Sequence, residues 1–459
     1  HVALKLLPRA HPEALLAFKR EFRTLTTVTH PHLVTPYELI ADGEQWYFTM
    51  ALVPGVDLLT WLRRGRDPAT TAATFDERVD EARLRSALRQ IAEGVGALHR
   101  AGLLHRDLKP SNVLVRDDGH VAILDFGLTV ELRERVTTTE TTAGTLAYMS
   151  PEQLASESLG SASDWYALGV MLYEAMTGQL PFGSNVRQML FAKLAGAYPP
   201  IDDVVAGAPE DLRRLCDALL HHDPVERATD LEILACLGGA SETTGPLVDV
   251  SPMLAWADAA PLVGRERELA ALDDALTAVR NGALRVVALH GRSGSGKSAI
   301  VQQFLQDKRA QTDLLVLAGR CYEQESVPFK AIDSLIDALT RRLLRVDHEA
   351  VTALLPNDMH AAARIFPVLR RIAAIDEIAG NAPHIPDPRE VRRRAFDALR
   401  ALLVALGHET PLVIAIDDLQ WGDVDSAELL LHLLRTLVSR PFVRSCCSRT
   451  GRSTGAPAI

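Results

Sequence analysis

Apolar residues recur every three or four positions at Leu84, Leu88, Ile91, Val95 and Leu98, and the run closes at Gly102. This spacing predicts a helix with one buried face. An earlier helix is predicted in "EALLAFKREFRTLTTVTHPHLV", where Phe18, Phe22 and Leu25 mark one face. Glu21 falls on that face, three residues after Phe18, whereas Glu13 lies off it and reads as a solvated first-turn acid favoured by the helix dipole. Further along, the apolar runs "LRVVALHG", "LLVLAG" and "PLVIAIDD" alternate with long helical segments, the pattern of a parallel sheet covered by helices. Between the two patterns lies "GGASETTGPLVDVSPMLAWADAAP", in which Gly, Ser, Thr and Pro replace periodic apolar residues. The predicted organisation is therefore a first domain over residues 1–238, a linker over 239–260 and a second domain over 261–459. No internal repeat or low-complexity tract is seen.

Composition narrows the picture. The 459 residues suggest two to four domains, and 47% hydrophobic with 24% charged residues describes a globular chain. No apolar run reaches the length of a membrane span, so a cytoplasmic location is expected. A formal net charge of −10 argues against direct nucleic-acid binding by this segment and against broad attraction to anionic lipid. Cys216, Cys236, Cys321, Cys446 and Cys447 are odd in number and have no metal-ligand spacing, and no chemistry is assigned to them.

The densest chemistry sits in "HRDLKPSNVLV", followed by "DFG" at residues 125–127 and later by "GTLAYMSPEQ" and "DWYALGV". Over residues 1–238 this ordered set resembles the eukaryotic-type protein kinases of bacteria, an α+β bilobal fold. The resemblance implies a job for each residue in moving a phosphoryl group from ATP. Asp107 is implied to orient the substrate hydroxyl and accept its proton, and Lys109 to reach the transferring phosphate. Asn112 and Asp125 are implied as hard oxygen ligands for Mg²⁺. The opening "VALK" matches the third kinase strand, which makes Lys5 the lysine on the α- and β-phosphates and Glu21 its partner. Met50 is implied as gatekeeper, and Asp57 lies near the nucleotide ribose.

Lysine at 109 and Thr145 ahead of "SPE" imply protein substrates with serine or threonine hydroxyls. Glu152 is expected to pair with Arg227 of "DPVERAT". Thr137, Thr138, Thr139, Thr141 and Thr142 cluster where kinases place an activation loop, so autophosphorylation there, ordered by Arg106, is expected. Upstream of Lys5 the resemblance implies two further strands and a glycine-rich loop. The sequence is accordingly expected to be a piece of a longer protein, with an incomplete amino-terminal lobe.

In the second domain "GRSGSGKS" follows a strand and precedes a helix, the context of a P-loop. Gly291, Gly294 and Gly296 let backbone N–H groups turn inward around phosphates at a helix N-terminus. Lys297 and Ser298 are expected at the β/γ-phosphates and Mg²⁺. Asp417, at the end of "PLVIAIDD", is a further metal or metal-water ligand, and Asp418 is a candidate for orienting an attacking water. "LVGRERELAALDDAL" and "DDLQWGDVDSAELL" resemble the AAA-like ATPases of MalT-type signalling proteins, an α/β P-loop NTPase fold with a parallel sheet. That likeness places Gly264 and Arg265 near the nucleotide and makes Trp421 a core residue. Arg444 and the tail of "RPFVRSCCSRTGRSTGAPAI" are expected to interrupt the next strand, which should end in a sensor arginine such as Arg449. Together these readings imply a multi-domain serine/threonine kinase coupled to an ATPase switch. A non-catalytic nucleotide-switch scaffold with a kinase-like interaction module, or a gene fragment, is the alternative.

Overall fold

The carboxylate of Asp80 accepts the backbone N–H of Arg83 at 3.0 Å and opens a helix at Glu81–Arg100; Gly102, at φ 71°, follows its end. Leu84, Leu88, Ile91, Val95 and Leu98 form its buried face, each no more than 1% exposed. The computed structural model describes residues 1–7, 11–43, 45–65, 74–125, 146–155, 157–238, 264–311, 314–382, 385–436 and 442–449. Residues 137–142, the expected activation-loop threonines, and Thr145 lie outside the described residues, as does the linker.

The elements that position the sites run in order as β1 (Val2–Leu7), α1 (Pro12–Leu25), β2 (Pro36–Asp42), β3 (Gln45–Ala51), β4 (Gly55–Asp57) and α2 (Glu81–Arg100). There follow β5 (Val113–Arg116), β6 (Val121–Ile123), α3 (Ser161–Thr177) and α4 (Val186–Ala195). The second half supplies β7 (Leu284–Gly291), α5 (Lys297–Gln311), β8 (Leu315–Arg320), β9 (Glu325–Ser326), α6 (Lys330–Leu343), β10 (Leu412–Asp417) and β11 (Phe442–Arg449). By contact they form two compact units, one of residues 1–4, 20–37 and 49–255, the other of residues 5–19, 38–48 and 256–459.

In the first unit α3 is buried on nearly every side, which is why its sequence is apolar all round rather than along one stripe. Its Gly169 faces Leu219 so closely that a Cβ there would lie 2.7 Å from the leucine Cβ. A small antiparallel sheet of order β4-β5-β6 carries the hairpin β5–β6, with Val113 opposite Ile123. Asn112 precedes one arm and Asp125 follows the other. The hairpin therefore brings these two residues to the same end, where the N–H of Leu124 donates to the carbonyl of Asn112 at 2.8 Å.

In the second unit β7, β11, β10 and β8 form a parallel sheet in that order. The parallel register puts the ends of β7 and β10, Gly291 and Asp417, on one edge of the sheet. The expectation that Arg444 breaks the next strand fails. Phe442–Arg449 is one strand, with Arg444 paired to Ile414 on one side and Val286 on the other. A strand with neighbours on both sides has its backbone groups satisfied by both ladders, and that outweighs one charged residue in an apolar run.

The same unit contains residues from early in the chain. β9 pairs in parallel with β2, with Leu39 opposite Glu325 and Ile40 opposite Ser326, and extends the sheet to β1-β3-β2-β9. Leu16 of α1 joins a core cluster that includes Ile336, Leu339 and Leu343 of α6. Glu13, expected to be a solvated acid, is only 26% exposed and pairs with His11 and with Arg371 at 3.6 Å. Periodicity on α1 could not reveal that a second surface covers its outer face.

Gly169→Ala is expected to destabilise the chain by about 1–3 kcal/mol, because the neighbour that blocks the new methyl is a packed core residue. Gly380→Ala, in a helix and with nothing within 4 Å of the added carbon, should be neutral or slightly stabilising. Urea midpoints of the two variants give the comparison.

Candidate functional site

The first site is built around a carboxylate that never meets water. Asp164, near the start of α3 and 1% exposed, accepts the N–H of His105 at 2.8 Å, the N–H of Arg106 at 2.7 Å and His99 Nε2 at 2.8 Å. Burial pushes its acidity down, but the His99 hydrogen bond and the nearby histidines prevail and hold the pKa below the usual carboxylate value. These bonds fix Arg106 in the left-handed region at φ 65°, a conformation that costs a non-glycine residue about 1–2 kcal/mol. The strained turn presents the next residue, Asp107.

His105 is fully buried, and burial lowers its pKa, so it is held neutral. Its Nδ1 accepts the N–H of Asp107 at 3.3 Å, which leaves the proton on Nε2 to donate to the Leu124 carbonyl at 3.0 Å. The imidazole thus ties Asp107 to the residue before Asp125.

Around Asp107 the expected partners converge. Lys109 Nζ donates to its two oxygens at 3.1 and 2.9 Å, and Asn112 Nδ2 donates to its carbonyl at 2.8 Å and its Oδ2 at 3.2 Å. Both of these bonds use the amide nitrogen of Asn112. Asp125, at φ 48°, is a second non-glycine residue in the left-handed region. Asp57 serves as N-cap of the helix Leu58–Leu62, accepting the N–H of Thr60 at 3.0 Å. Met50 sits half-buried in β3. Lys5 lies in β1 with its ammonium 5.9 Å from the Phe48 ring centroid, and Glu21 lies half-buried on α1.

Behind the loop, Arg227 grips Glu152 with two bonds of 2.7 and 2.9 Å, as the sequence led one to expect. Burial raises the Glu152 pKa, but the Arg227 and Ser163 hydrogen bonds outweigh it and bring the value to about 2. Lys193 was not foreseen. It is 1% exposed and donates to the carbonyls of Ala147 at 2.7 Å and Met149 at 2.5 Å, and burial pushes its pKa down to about 7. Gln153 Nε2 donates to the Arg106 carbonyl at 3.0 Å, so this segment and the Asp107 turn are braced against each other.

In the second unit Gly294 and Gly296 take φ 77° and 84°, as the P-loop reading requires, and a Cβ on Gly291 would lie 2.8 Å from Ser295 Oγ. Lys297 Nζ donates to the carbonyls of Gly291 and Arg292 at 2.9 and 3.0 Å, folded over its own loop. Ser298 Oγ donates to Asp417 Oδ2 at 2.8 Å, which puts the two expected metal-side oxygens together. Burial raises the Asp417 pKa against the opposing Ser298 bond. Asp418, at φ 53°, forms an ion pair with Arg320 at 2.6 Å, a partner that no sequence pattern singles out. Arg265 Nη2 donates to the Ser295 carbonyl at 2.9 Å, so the "GRE" segment does touch the P-loop. Gly264 takes φ 74° beside it. Trp421 packs against the core, as expected. Arg449 closes β11 opposite Gly291.

Residues 1–236 match the protein kinase domain family, and residues 261–444 match the AAA ATPase domain family. The chain belongs to the protein kinase domain family. The kinase region is similar to serine/threonine-protein kinase PknL of Mycobacterium tuberculosis, with 32% identity over 235 residues, which is 50% of this chain and 56% of that protein. It is also similar to CBL-interacting serine/threonine-protein kinase 1 of Arabidopsis thaliana, 34% identical over 230 residues, 48% of this chain and 47% of the other. A probable serine/threonine-protein kinase, pknA2, of Bifidobacterium longum is 30% identical over 244 residues, 52% of this chain and 30% of that protein. The chain thus spans little more than half the length, or less, of the curated relatives it matches. Among the described residues no helix is long and apolar enough to cross a membrane.

The Glu152–Arg227 pair predicts a pH signature for the kinase fold. Because the folded pKa of Glu152 lies below its ordinary value of 4.5, the pair's contribution is complete above about pH 4.5 and is lost as pH falls toward about 2. The urea midpoint of Glu152→Gln should fall below that of the parent by the equivalent of roughly 3 kcal/mol near neutrality, and the gap should narrow as the buffer is acidified below pH 4.5. A gap independent of pH would contradict the assignment.

Proposed function

We propose that this chain transfers the γ-phosphoryl group of ATP to serine or threonine hydroxyls of proteins, and that its second nucleotide site is a switch coupled to that reaction. The single observation that supports the reading most is the cluster of Asp107, Lys109 and Asn112 on a turn held by Asp164. Asp107 accepts the proton of the attacking hydroxyl as its oxygen bonds to phosphorus; the bond from phosphorus to the bridging oxygen breaks and ADP leaves. Lys109, already within hydrogen-bond distance of Asp107, follows the charge of the moving phosphoryl group. Lys5, partnered by Glu21, orients the α- and β-phosphates, while Met50 and Asp57 border the adenine and ribose.

Asn112 and Asp125 suit Mg²⁺, being hard oxygen donors at one end of the β5–β6 hairpin, and the hydroxyl–carboxylate contact of Ser298 with Asp417 offers the same chemistry in the second site. When bound, the ion neutralises phosphate charge. Gly291, Gly294, Gly296 and Lys297 cradle the phosphates there, and Asp418, anchored by Arg320, orients water at the γ-phosphate. Thr137, Thr138, Thr139, Thr141 and Thr142 are the proposed sites of autophosphorylation, and Arg106, an exposed residue directly before Asp107, is the proposed receiver of the charge.

Incubation of the chain with Mg-ATP and a generic serine/threonine protein substrate should yield mass steps of one phosphate, on the chain and on the substrate. Asp107→Asn should slow both by roughly 10²–10⁴-fold. Lys297→Ala should abolish binding of fluorescent ADP to the second site while Asp107→Asn leaves it intact. No phosphate transfer from a folded chain that binds ADP at both sites would overturn the kinase reading and leave a nucleotide-switch scaffold.

A further inference from the structure

Lys19 is 1% exposed, an unusual place for an ammonium. Its Nζ donates to both oxygens of Asp333 at 2.8 Å and to Asp337 Oδ1 at 2.9 Å, and lies 5.8 Å from the Trp46 ring centroid. Asp333 and Asp337 are themselves 6% and 2% exposed and stand one turn apart on α6. Removing one partner from such a buried cluster leaves charge uncompensated, so the contact resists separation. It has company within the same unit. The N–H of Leu39 donates to the Gln324 carbonyl at 2.9 Å, Ser326 Oγ donates to Glu38 at 2.5 Å, and Arg371 faces Glu13.

From this cluster a short run of bonds leads to the P-loop. Ser334, next to Asp333, donates its hydroxyl to the Arg320 carbonyl at 2.9 Å. The Arg320 guanidinium holds Asp418; the N–H of Asp418 donates to Asp417 at 3.0 Å; and Asp417 accepts from Ser298. The start of α6 is tied to the same region, since the N–H groups of Phe329 and Ala331 donate to Asp423 at 2.9 Å and to Ser426 at 3.0 Å. At the other end Lys19 and Glu21 stand two residues apart on α1, a single helix over Pro12–Leu25.

We propose that nucleotide occupancy of the P-loop is read through Arg320 and α6 by Lys19, and so biases the position of Glu21, making the ATPase fold of this chain the regulator of its own phosphoryl transfer. The consequence for transfer rests on the kinase reading above; the linkage between the P-loop and α1 does not. Coupling of this kind requires nucleotide-bound and nucleotide-free forms that differ along the path, and it is reciprocal for binding.

The test uses the full chain carrying Asp107→Asn, so that no turnover complicates the comparison. Amide hydrogen exchange over residues 12–25 is measured with and without saturating ADP. The expected result is an ADP-dependent change in protection there that disappears in Lys297→Ala and again in Lys19→Met. Ser334→Ala, which cuts the path without burying an unpaired charge, should weaken the change and covers the case in which Lys19→Met fails to fold. In the chain with Asp107 intact, Lys297→Ala should alter the phosphoryl-transfer rate about 5–150-fold, and should not alter it when Lys19→Met or Ser334→Ala is also present. Exchange over residues 12–25 that ignores ADP, or that responds equally in Lys297→Ala or Ser334→Ala, overturns the proposal. A preserved exchange effect with no phosphoryl transfer supports the linkage and sinks the kinase reading alone.

Discussion

One buried carboxylate organises the first site. Stripping water from Asp164 costs several kcal/mol, and only its three donors make that position tolerable. Two of those donors are consecutive backbone N–H groups, so the energy that keeps Asp164 ionised in the interior also bends the chain at Arg106 into the left-handed region. The bend sets the place of Asp107, and His105, locked by the same turn, reaches across to the carbonyl before Asp125. Burial, strain and aim are three aspects of one arrangement. Asp107, the proposed proton acceptor, does not set its own position.

The second site reaches a similar end by different means. There the acid is carried by the last residue of a parallel strand, and the fold's regularity does the aiming. β10 and β7 run the same way, so Asp417 and the P-loop glycines emerge on one edge, and the hydroxyl of Ser298 finds the carboxylate without any strained turn of its own. Strain appears one residue later, at Asp418, where the left-handed backbone swings the side chain to Arg320. Asp418, the acid proposed to orient water, is thus fixed by a cation supplied from the end of the neighbouring strand.

Much of this was legible in the sequence where chemistry and local geometry coincide. Asp107, Lys109 and Asn112 lie within six residues, so a short motif carries their mutual placement, and "GRSGSGKS" carries its own turn in its glycines. Even the longer Glu152–Arg227 pair was accessible through the family pattern. What escaped were partners chosen by packing. Arg320 reads as a polar residue ending a strand, Lys193 as one charge in an apolar helix, and Lys19 as an ordinary solvated position. Each is buried or paired because of a surface far away in the chain, and no local period encodes that. Arg444 failed for the opposite reason, since a charged residue looks like a break until two flanking strands are seen to claim its backbone.

The partners of Lys19 lie 314 and 318 residues further along the chain. A ribosome adding roughly 5–20 residues per second takes on the order of 15–60 s to supply them. Through that interval the sheet edge at Leu39 and the ammonium of Lys19 have been made and their counterparts have not. This part of the molecule cannot be finished in the order in which it is synthesised. Of all its elements, the earliest in sequence are among the last to reach their final surroundings, and during every round of translation they depend on water, or on whatever else in the cell will cover them.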